Sequence, residues 1–331
     1  MRNTSASSKI LNYPNAHLSP GTPRIWAFGG GKGGIGKSFL CSNLAVCMAQ
    51  LGHKVVVIDL DLGGANLHTC LGSPNPKHSL SDFISGRIPH LENIITESNI
   101  PNLSFISGAN DALNVTELTS LTKEKIIKAI RALPHGLIFL DLGAGTSEAT
   151  MDFFIAADQS IVVTTPEPTA IENAYRFIKT AFYRKLRHAE DNLSIQSIID
   201  EAMDQKNKLG IRTPSDLIKY VSSVNPLEGK SLRTQLDELH LKLILNQTRS
   251  HHESDLGNAM KSVCLKYFGV KLDYAGSIDF DNTAWQSLRK KQPLVSALPF
   301  SNLTSALFKM TRTLAEPNIA EMPGQQFKKV S

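Results

Sequence analysis

The chain has 331 residues, of which 41% are hydrophobic and 20% charged, and it carries a net charge of +5 with a pI of about 8.9. This composition is ordinary for a globular protein, and the length allows one large α/β domain or two small ones. Because the charge excess is mild, contact with nucleic acid or an anionic surface is favoured but not required.

The cysteines and the termini exclude several classes of protein. The four cysteines are Cys41, Cys47, Cys70 and Cys264, and none forms a CxxC pair. Neither a zinc ribbon nor an iron–sulfur carrier site is therefore expected. Residues 1–23 lack the apolar core of a signal peptide, and no run of about 18 apolar residues occurs. We expect a cytoplasmic protein with flexible tails at residues 1–23 and 317–331.

Short apolar runs alternate with amphipathic stretches along the chain. The runs predict strands at residues 25–28, 55–58, 103–106, 137–140, 160–163, 241–245 and 274–278. Helical spacing occurs at residues 38–51, 123–133, 171–187 and 303–314. Uninterrupted apolar strands are typical of a sheet covered on both faces. The pattern predicts an α/β fold: a doubly wound, mostly parallel sheet with helices on both faces.

Residues 188–240 do not fit this alternation, because they separate two strands by more than one crossover helix needs. We interpret them as a helical insertion, with helices at 194–202 and 214–221 and breaks at Gly210 and at residues 226–229.

A phosphate-binding loop follows the first strand. Gly31, Gly36, Lys37 and Ser38 satisfy the Walker A spacing between a strand and a helix. Glycines let backbone amides turn towards phosphates, and the start of the helix adds positive potential. Lys37 is expected to bridge the β- and γ-phosphates, and Ser38 to ligate Mg²⁺. The predicted nucleotide-binding residues are Gly31, Gly33, Gly34, Ile35, Gly36, Lys37, Ser38 and Phe39.

A second lysine, Lys32, follows the first glycine of the loop. Residues 32–38 resemble the deviant Walker A motif of the MinD/ParA family of P-loop ATPases, nearest to its MinD/FlhG branch. The resemblance covers most of residues 24–315. It implies a SIMIBI-type ATPase domain at residues 24–316 with ATP and Mg²⁺ as ligands. It also implies that Lys32 is a catalytic residue that crosses an ATP-bound homodimer to the partner's nucleotide. A solvated loop lysine is the alternative.

Two further segments resemble the switch regions of that family. Asp59 and Asp61 end the second strand, and Asp141 begins the segment Asp-Leu-Gly-Ala-Gly after the 137–140 strand. The resemblance implies that Asp61 orients the attacking water, and that Asp59 and Asp141 are metal residues together with Ser38. For any one aspartate, a turn or helix cap is the alternative.

Two later features also resemble the family. Residues 164–175 resemble the stretch after the next strand in MinD and FlhG proteins, which usually have aspartate where this chain has Asn173. Asn246 ends the 241–245 strand and matches the adenine-reading asparagine. An amide offers both a donor and an acceptor to the adenine edge, although chance is a strong competitor at a single asparagine.

The resemblance leaves three functions open. The first is a MinD/FlhG-type ATPase that hydrolyses ATP slowly, is turned over by a protein activator or cargo, and controls placement of a septum or flagellum. It would act near the inner membrane or a cell pole. The second is a ParA-type partition ATPase on nonspecific DNA, for which residues 184–188 and 289–291 are basic runs. The third is a nucleotide-binding scaffold without turnover.

The stripe of apolar residues near the end of the chain has two interpretations. Leu303, Leu307, Met310 and Leu314 lie at helical spacing, with Lys309 and Arg312 nearby. We favour a last helix packed on the sheet over a membrane-binding amphipathic helix.

Overall fold

A computed structural model describes residues 23–61, 64, 66–108, 118–189, 193–203, 209–237 and 239–315. Strands within these ranges are β1 (Arg24–Gly29), β2 (Val55–Leu60), β3 (Thr96–Glu97), β4 (Leu103–Ile106), β5 (Leu137–Leu142), β6 (Gln159–Thr164), β7 (Leu241–Thr248) and β8 (Leu272–Asp279). They form one sheet in the order β3-β4-β2-β5-β1-β6-β7-β8. Every pairing is parallel except that of β3 with β4.

The helices before β7 are α1 (Lys37–Gln50), α2 (Leu67–Cys70), α3 (Leu80–Ile84), α4 (Ser120–Arg131), α5 (Glu148–Ile155), α6 (Pro168–Ala189), α7 (Leu193–Met203), α8 (Pro214–Val224) and α9 (Pro226–Asp237). Those after β7 are α10 (His251–Val263), α11 (Asn282–Arg289), α12 (Leu294–Ala297) and α13 (Asn302–Ala315). Every predicted strand and helix is present, although the short strand β3 was not predicted.

The sheet has a hydrophobic layer on each face, because successive strand side chains point to opposite sides. In β1, Ile25 and Ala27 belong to the core that contains α4, α5 and α6, whereas Trp26 and Phe28 belong to the core that contains α1, α12 and α13. The predicted doubly wound α/β fold is confirmed.

The predicted break at residues 226–229 is wrong, because α9 begins there. Pro226 suits the first turn of a helix, and the Asn225 Oδ1 accepts hydrogen bonds from the backbone amides of Leu227 and Glu228 at 3.1 and 3.3 Å. Gly229 is a contact residue inside the helix. A Cβ there would lie 2.2 Å from the Oγ of Ser222 on α8, so glycine allows α8 and α9 to approach closely.

The last helix of the described chain packs on the protein. Leu303, Leu307, Met310 and Leu314 of α13 are buried in the same core as α1. This confirms the packed last helix over a membrane-binding one. Within the ranges described above, no helix is long and apolar enough to cross a bilayer. The predicted tails lie outside the described residues, apart from Pro23, and the boundaries of the domain and the insertion stay predictions.

Candidate nucleotide-binding site

The loop between β1 and α1 has the backbone of a phosphate cradle. Gly34 and Gly36 have φ of +78° and +86°, which side chains other than glycine rarely tolerate, and Gly36 leads directly into α1. Gly31 is needed for a different reason: a Cβ there would lie 2.2 Å from the carbonyl oxygen of Asn173 on α6. The amides of this loop and the start of α1 together form the type of anion site that phosphates occupy.

The two lysines of the loop have different environments. Lys37 is buried, with 8% of its surface exposed, and lines a cavity. Burial lowers the pKa of Lys37, while the charges of Asp141 and Asp61 oppose that shift. The side chain of Lys32 is 40% exposed, and its Nζ donates to the Glu167 Oε2 at 2.7 Å and the Thr169 Oγ1 at 3.3 Å. One loop therefore directs one lysine inwards and one to the surface.

The predicted metal residues lie together. Asp59 on β2 and Asp141 on β5 are neighbours in register at the carboxyl end of the sheet. Burial raises the pKa of Asp59 to about 6, against hydrogen bonds from the amides of Leu67 and Asp61. Burial and the charge of Asp59 raise the pKa of Asp141 to about 7, while a hydrogen bond from Ser38 lowers it. Two buried carboxylates side by side favour a cation between or beside them.

The Asp141 Oδ1 is buried and has no hydrogen-bond partner among the described residues. Carboxylate and hydroxyl oxygens are ligands that Mg²⁺ prefers, and a bound ion would satisfy this atom. The described residues contain no group of three or more His, Cys, Asp or Glu side chains that could hold a metal on its own. Asp141, Asp59 and Ser38 therefore fit Mg²⁺ that is also bound to phosphate oxygens, as in other nucleotide sites.

Asp61 lies where two loops meet. A Cβ on Gly143 would be 3.2 Å from the Asp61 Oδ1, so this glycine gives the carboxylate room beside the loop after β5. That loop also contacts the phosphate-binding loop, because the amide of Gly145 donates to the carbonyl of Gly30 at 3.1 Å. Asp61 thus faces both the cavity and the loop after β5.

The site opens into a cavity of about 520 Å³. It is lined on one side by Gly33, Gly34, Gly36, Lys37, Ser38 and Phe39, and on the others by Asp61, Asn246, Gln247, Phe280, Asp281, Trp285 and Leu288, among others. The Nδ2 of Asn246 donates to the carbonyl of Ile35 at 2.8 Å, which fixes the orientation of the amide. Five predicted site residues are not part of the cavity lining: Gly31, Lys32, Ile35, Asp59 and Asp141. Lys32 instead contacts Glu167 and Thr169, and Gly31 lies against the backbone of Asn173.

Sequence analysis did not identify Gln247, Phe280, Trp285 or Leu288 as cavity residues. They follow Asn246 on β7 or come after β8, and the carboxyl ends of parallel strands meet at one edge of the sheet. That rule was available, but no motif within residues 280–288 marks them. Glu167 was also not predicted to take part in the site, and the structure shows that it forms an ion pair with Lys32.

The first basic run is not a free cationic surface. Lys185 is buried, with 6% exposed, and Arg184 and His188 contact Asp152 on α5 at 2.7 and 2.9 Å. Lys123 of α4 also contacts Asp152, at 2.5 Å, and both of these side chains are almost completely buried. Most of this run is therefore occupied within the fold, whereas Arg187 is exposed and pairs with Asp200 at 3.4 Å. DNA binding by this run stays a prediction of the alternative function. Residues 289–291 are exposed.

A glycine-rich loop between a central parallel strand and a helix, with aspartates ending the neighbouring strands, defines a P-loop NTPase. A family model described as "ParA: NUBPL iron-transfer P-loop NTPase" matches residues 22–190, just over half of the chain. The chain belongs to this ParA family of P-loop NTPases. The iron transfer in that description is a property of the model's namesake, and this chain has no paired-cysteine motif.

The curated relatives that the chain resembles include MinD and flagellar site-determining proteins. A protein of Oltmannsiellopsis viridis, described as a septum site-determining MinD, is 29% identical over 65% of this chain and 67% of its own length. The flagellum site-determining protein YlxH of Helicobacter pylori is 34% identical over 51% of this chain and 58% of its own length. The chain thus spans between about half and two thirds of these relatives. The predicted resemblance to the MinD/FlhG branch is confirmed.

Solved structures agree on the fold. MinD of Pyrococcus horikoshii, complexed with Mg-ADP, has a TM-score of 0.63 and 20% identity, covering 92% of this chain and all of that one. MinD in the MinC:MinD cell division complex of Aquifex aeolicus has a TM-score of 0.57 and 19% identity, covering 92% of this chain and all of the other. At these identities the likeness establishes the fold.

Proposed function

We propose that this chain is a MinD/FlhG-type ATPase that binds ATP and Mg²⁺, dimerises around the nucleotide and hydrolyses it slowly. In this role it is a spatial switch that controls placement of a septum or a flagellum. The proposal rests on the different positions of two lysines in one loop: Lys37 is buried at the cavity, and Lys32 is exposed at the surface. A loop that served one nucleotide in a monomer would not need the second lysine.

The residues of the site suit phosphoryl transfer by positioning and electrostatics. Lys37 and the loop amides would hold the β- and γ-phosphates, and Lys32 of a second copy would add positive charge from outside. Mg²⁺, when bound by Ser38, Asp59 and Asp141, would neutralise charge on the phosphate oxygens. Asp61 would orient the attacking water, because its carboxylate lies beside the phosphate loop and the loop after β5.

The nucleobase is expected to be adenine. Since the Nδ2 of Asn246 is bonded to the Ile35 carbonyl, the Oδ1 is left to accept a hydrogen bond from the cavity. The exocyclic amino group of adenine is a donor, whereas guanine presents an acceptor at the same position. This orientation supports ATP over GTP.

The proposal extends to a homodimer in the ATP state and to a protein activator or cargo. The Aquifex MinD structure contains MinC, so a fold of this type can bind a protein partner. We place the protein in the cytoplasm, at the periphery of the inner membrane or at a cell pole. The alternative, DNA partition, has the exposed run at residues 289–291 as a basic surface.

The test compares four proteins by sedimentation with and without Mg-ATP: wild type, Lys37→Ala, Lys32→Ala and Asp61→Ala. We expect Lys37→Ala to lose ATP binding, Lys32→Ala to bind ATP but remain monomeric, and Asp61→Ala to remain a dimer. Dimerisation of the wild type without ATP would contradict the proposal. Fluorescent fusions of the wild type and Asp61→Ala then show where the protein lies in the cell. Membrane patches or polar foci would support the proposal, whereas nucleoid coating would support DNA partition.

A further inference from the structure

The outer wall of the cavity contains unusually exposed apolar side chains. Phe280 and Trp285 are 46% and 60% exposed, and Leu288 on the same helix is 37% exposed. All three line the cavity that also contains the phosphate-binding loop. When a flat ligand covers water-exposed aromatic rings at the mouth of a cavity, the burial of apolar surface favours binding.

The backbone around these rings is held in place. Asp281 caps α11 by accepting a hydrogen bond from the amide of Thr283 at 2.7 Å, which fixes the start of the helix that carries Trp285. The guanidinium of Arg289 lies 4.7 Å from the ring centre of Trp285, and that of Arg249 lies 4.6 Å from the ring centre of Phe280. Each cation lies over its ring, while Trp285 and Phe280 keep 60% and 46% of their surface exposed and accessible to a ligand.

A bound nucleotide would connect the phosphate-binding loop with the aromatic side chains at the mouth of the cavity. Phosphates held by the amides of residues 33–38 leave the base to extend along the cavity towards its other walls. Asn246 and Gln247 contact the loop through Ile35 and Gly34, and residues within 280–288 line the same cavity. Aromatic side chains and amide groups in one cavity suit a nucleobase, because they combine a stacking surface with hydrogen-bonding groups.

We propose that Trp285 is the stacking platform for the base of the bound nucleotide, with Phe280 as a second apolar contact. This inference rests on the proposed function and names the residue that fixes the base. Stacking adds affinity without discriminating between bases, because every base has a π-face. In this arrangement Trp285 supplies affinity, and Asn246 supplies the preference for adenine.

The chain offers a direct optical test, because its two tryptophans are Trp26 and Trp285. Trp26 is 2% exposed and stacks on Phe139 in the core, so it should not respond to a ligand. Titration with Mg-ADP should decrease the emission of the wild type, and this change should disappear in Trp285→Phe. An equal change in wild type and Trp285→Phe would overturn the inference.

Affinity provides the second measurement, by calorimetry with Mg-ADP and with tripolyphosphate. Trp285→Ala should weaken ADP binding about tenfold while tripolyphosphate binding stays unchanged. Phe300→Ala is the matched control, since Phe300 is 99% exposed and does not line the cavity, and it should bind ADP like the wild type. Unchanged ADP binding by Trp285→Ala overturns this inference alone. A wild type that binds neither ligand overturns the proposed function as well.

Discussion

The Nζ of Lys32 lies 2.7 Å from the Oε2 of Glu167, across 135 positions of the sequence. The pair joins the phosphate-binding loop to the turn before α6, and the hydrogen bond from Lys32, together with its charge, lowers the pKa of Glu167. In the proposed dimer, Lys32 would have to leave this contact within its own chain to reach the nucleotide of a second copy. Both side chains of the pair are exposed, so Lys32 could exchange Glu167 for another partner at a small cost in free energy.

The first prediction concerns the exchange of that contact. Glu167→Gln removes the competing charge, and we expect the ATP-dependent dimer to tighten by about twofold to fivefold. Sedimentation of the variant in an Asp61→Ala background measures this without turnover. Glu172→Gln is the control, because Glu172 is exposed on the neighbouring helix α6 and contacts Arg176 instead. A weaker dimer in Glu167→Gln would mean that Glu167 contributes to the dimer contact.

A second prediction tests the close approach of the phosphate loop to α6. Gly31→Ala places a Cβ 2.2 Å from the backbone carbonyl of Asn173, which cannot move without shifting α6. We expect loss of nucleotide binding and a decrease of about 1–3 kcal/mol in the free energy of unfolding. Gly33→Ala is the matched variant: a Cβ there meets nothing within 4 Å, so its free energy of unfolding should equal that of the wild type. Equal stability of both variants would refute the packing argument.

The third prediction concerns the buried ion cluster around Asp152. Asp152→Asn leaves Lys123 and Arg184 without their buried counter-charge, which should decrease the free energy of unfolding by about 3–5 kcal/mol. Asp237→Asn, in an exposed pair with Arg233, should change it by less than about 0.5 kcal/mol. Urea unfolding at pH 7 compares the two, and a small effect of Asp152→Asn would show that its cations find other partners.

The same cluster gives a pH dependence. Burial alone would raise the pKa of Asp152, but hydrogen bonds from His188, Arg184 and Lys123 hold it well below its usual value of 3.8. Near and below pH 3.8 the folded state binds fewer protons at Asp152 than the unfolded state does. The stabilising contribution of the Asp152 carboxylate to the free energy of unfolding is therefore complete above pH 3.8 and is lost as the pH falls below it. We expect the difference in stability between wild type and Asp152→Asn to shrink below about pH 4. A constant difference from pH 7 to pH 2.5 would exclude this linkage.

The fifth prediction concerns the helical hairpin of α8 and α9. Gly229→Ala would bring a Cβ to 2.2 Å from the Ser222 Oγ and 2.6 Å from its Cα, so the two helices must separate. Alanine's higher helix propensity favours the variant by about 1 kcal/mol, and the clash must exceed this for net destabilisation. We expect a lower melting temperature for Gly229→Ala than for the wild type, because the approach to the Cα of Ser222 is to backbone and does not depend on the serine side chain. A melting temperature equal to or above that of the wild type would show that the two helices accommodate the added Cβ.

The strands and the phosphate-binding loop of this protein could be predicted from patterns of neighbouring residues. Uninterrupted apolar runs predicted seven of the strands, and the spacing of Gly31, Gly36, Lys37 and Ser38 predicted the phosphate loop. These features are readable because a strand, a loop and a helix start are built by neighbouring residues. The start of α9 was missed for a local reason: proline and glycine there were interpreted as a break rather than as a helix start and a helix–helix contact.

Contacts between distant residues could only be decided by the tertiary structure. Glu167 contacts Lys32, Asn246 contacts Ile35 across 211 positions, and Asp152 contacts Lys123, Arg184 and His188 from two helices. Two lysines five positions apart look alike in the sequence, but packing buries Lys37 and leaves Lys32 at the surface. The sequence by itself determined that a phosphate site exists and which residues form its loop. Which charges line the cavity, which lie at the surface and which hold the fold together depended on the folding of the sheet, because only folding brings those side chains within reach of one another.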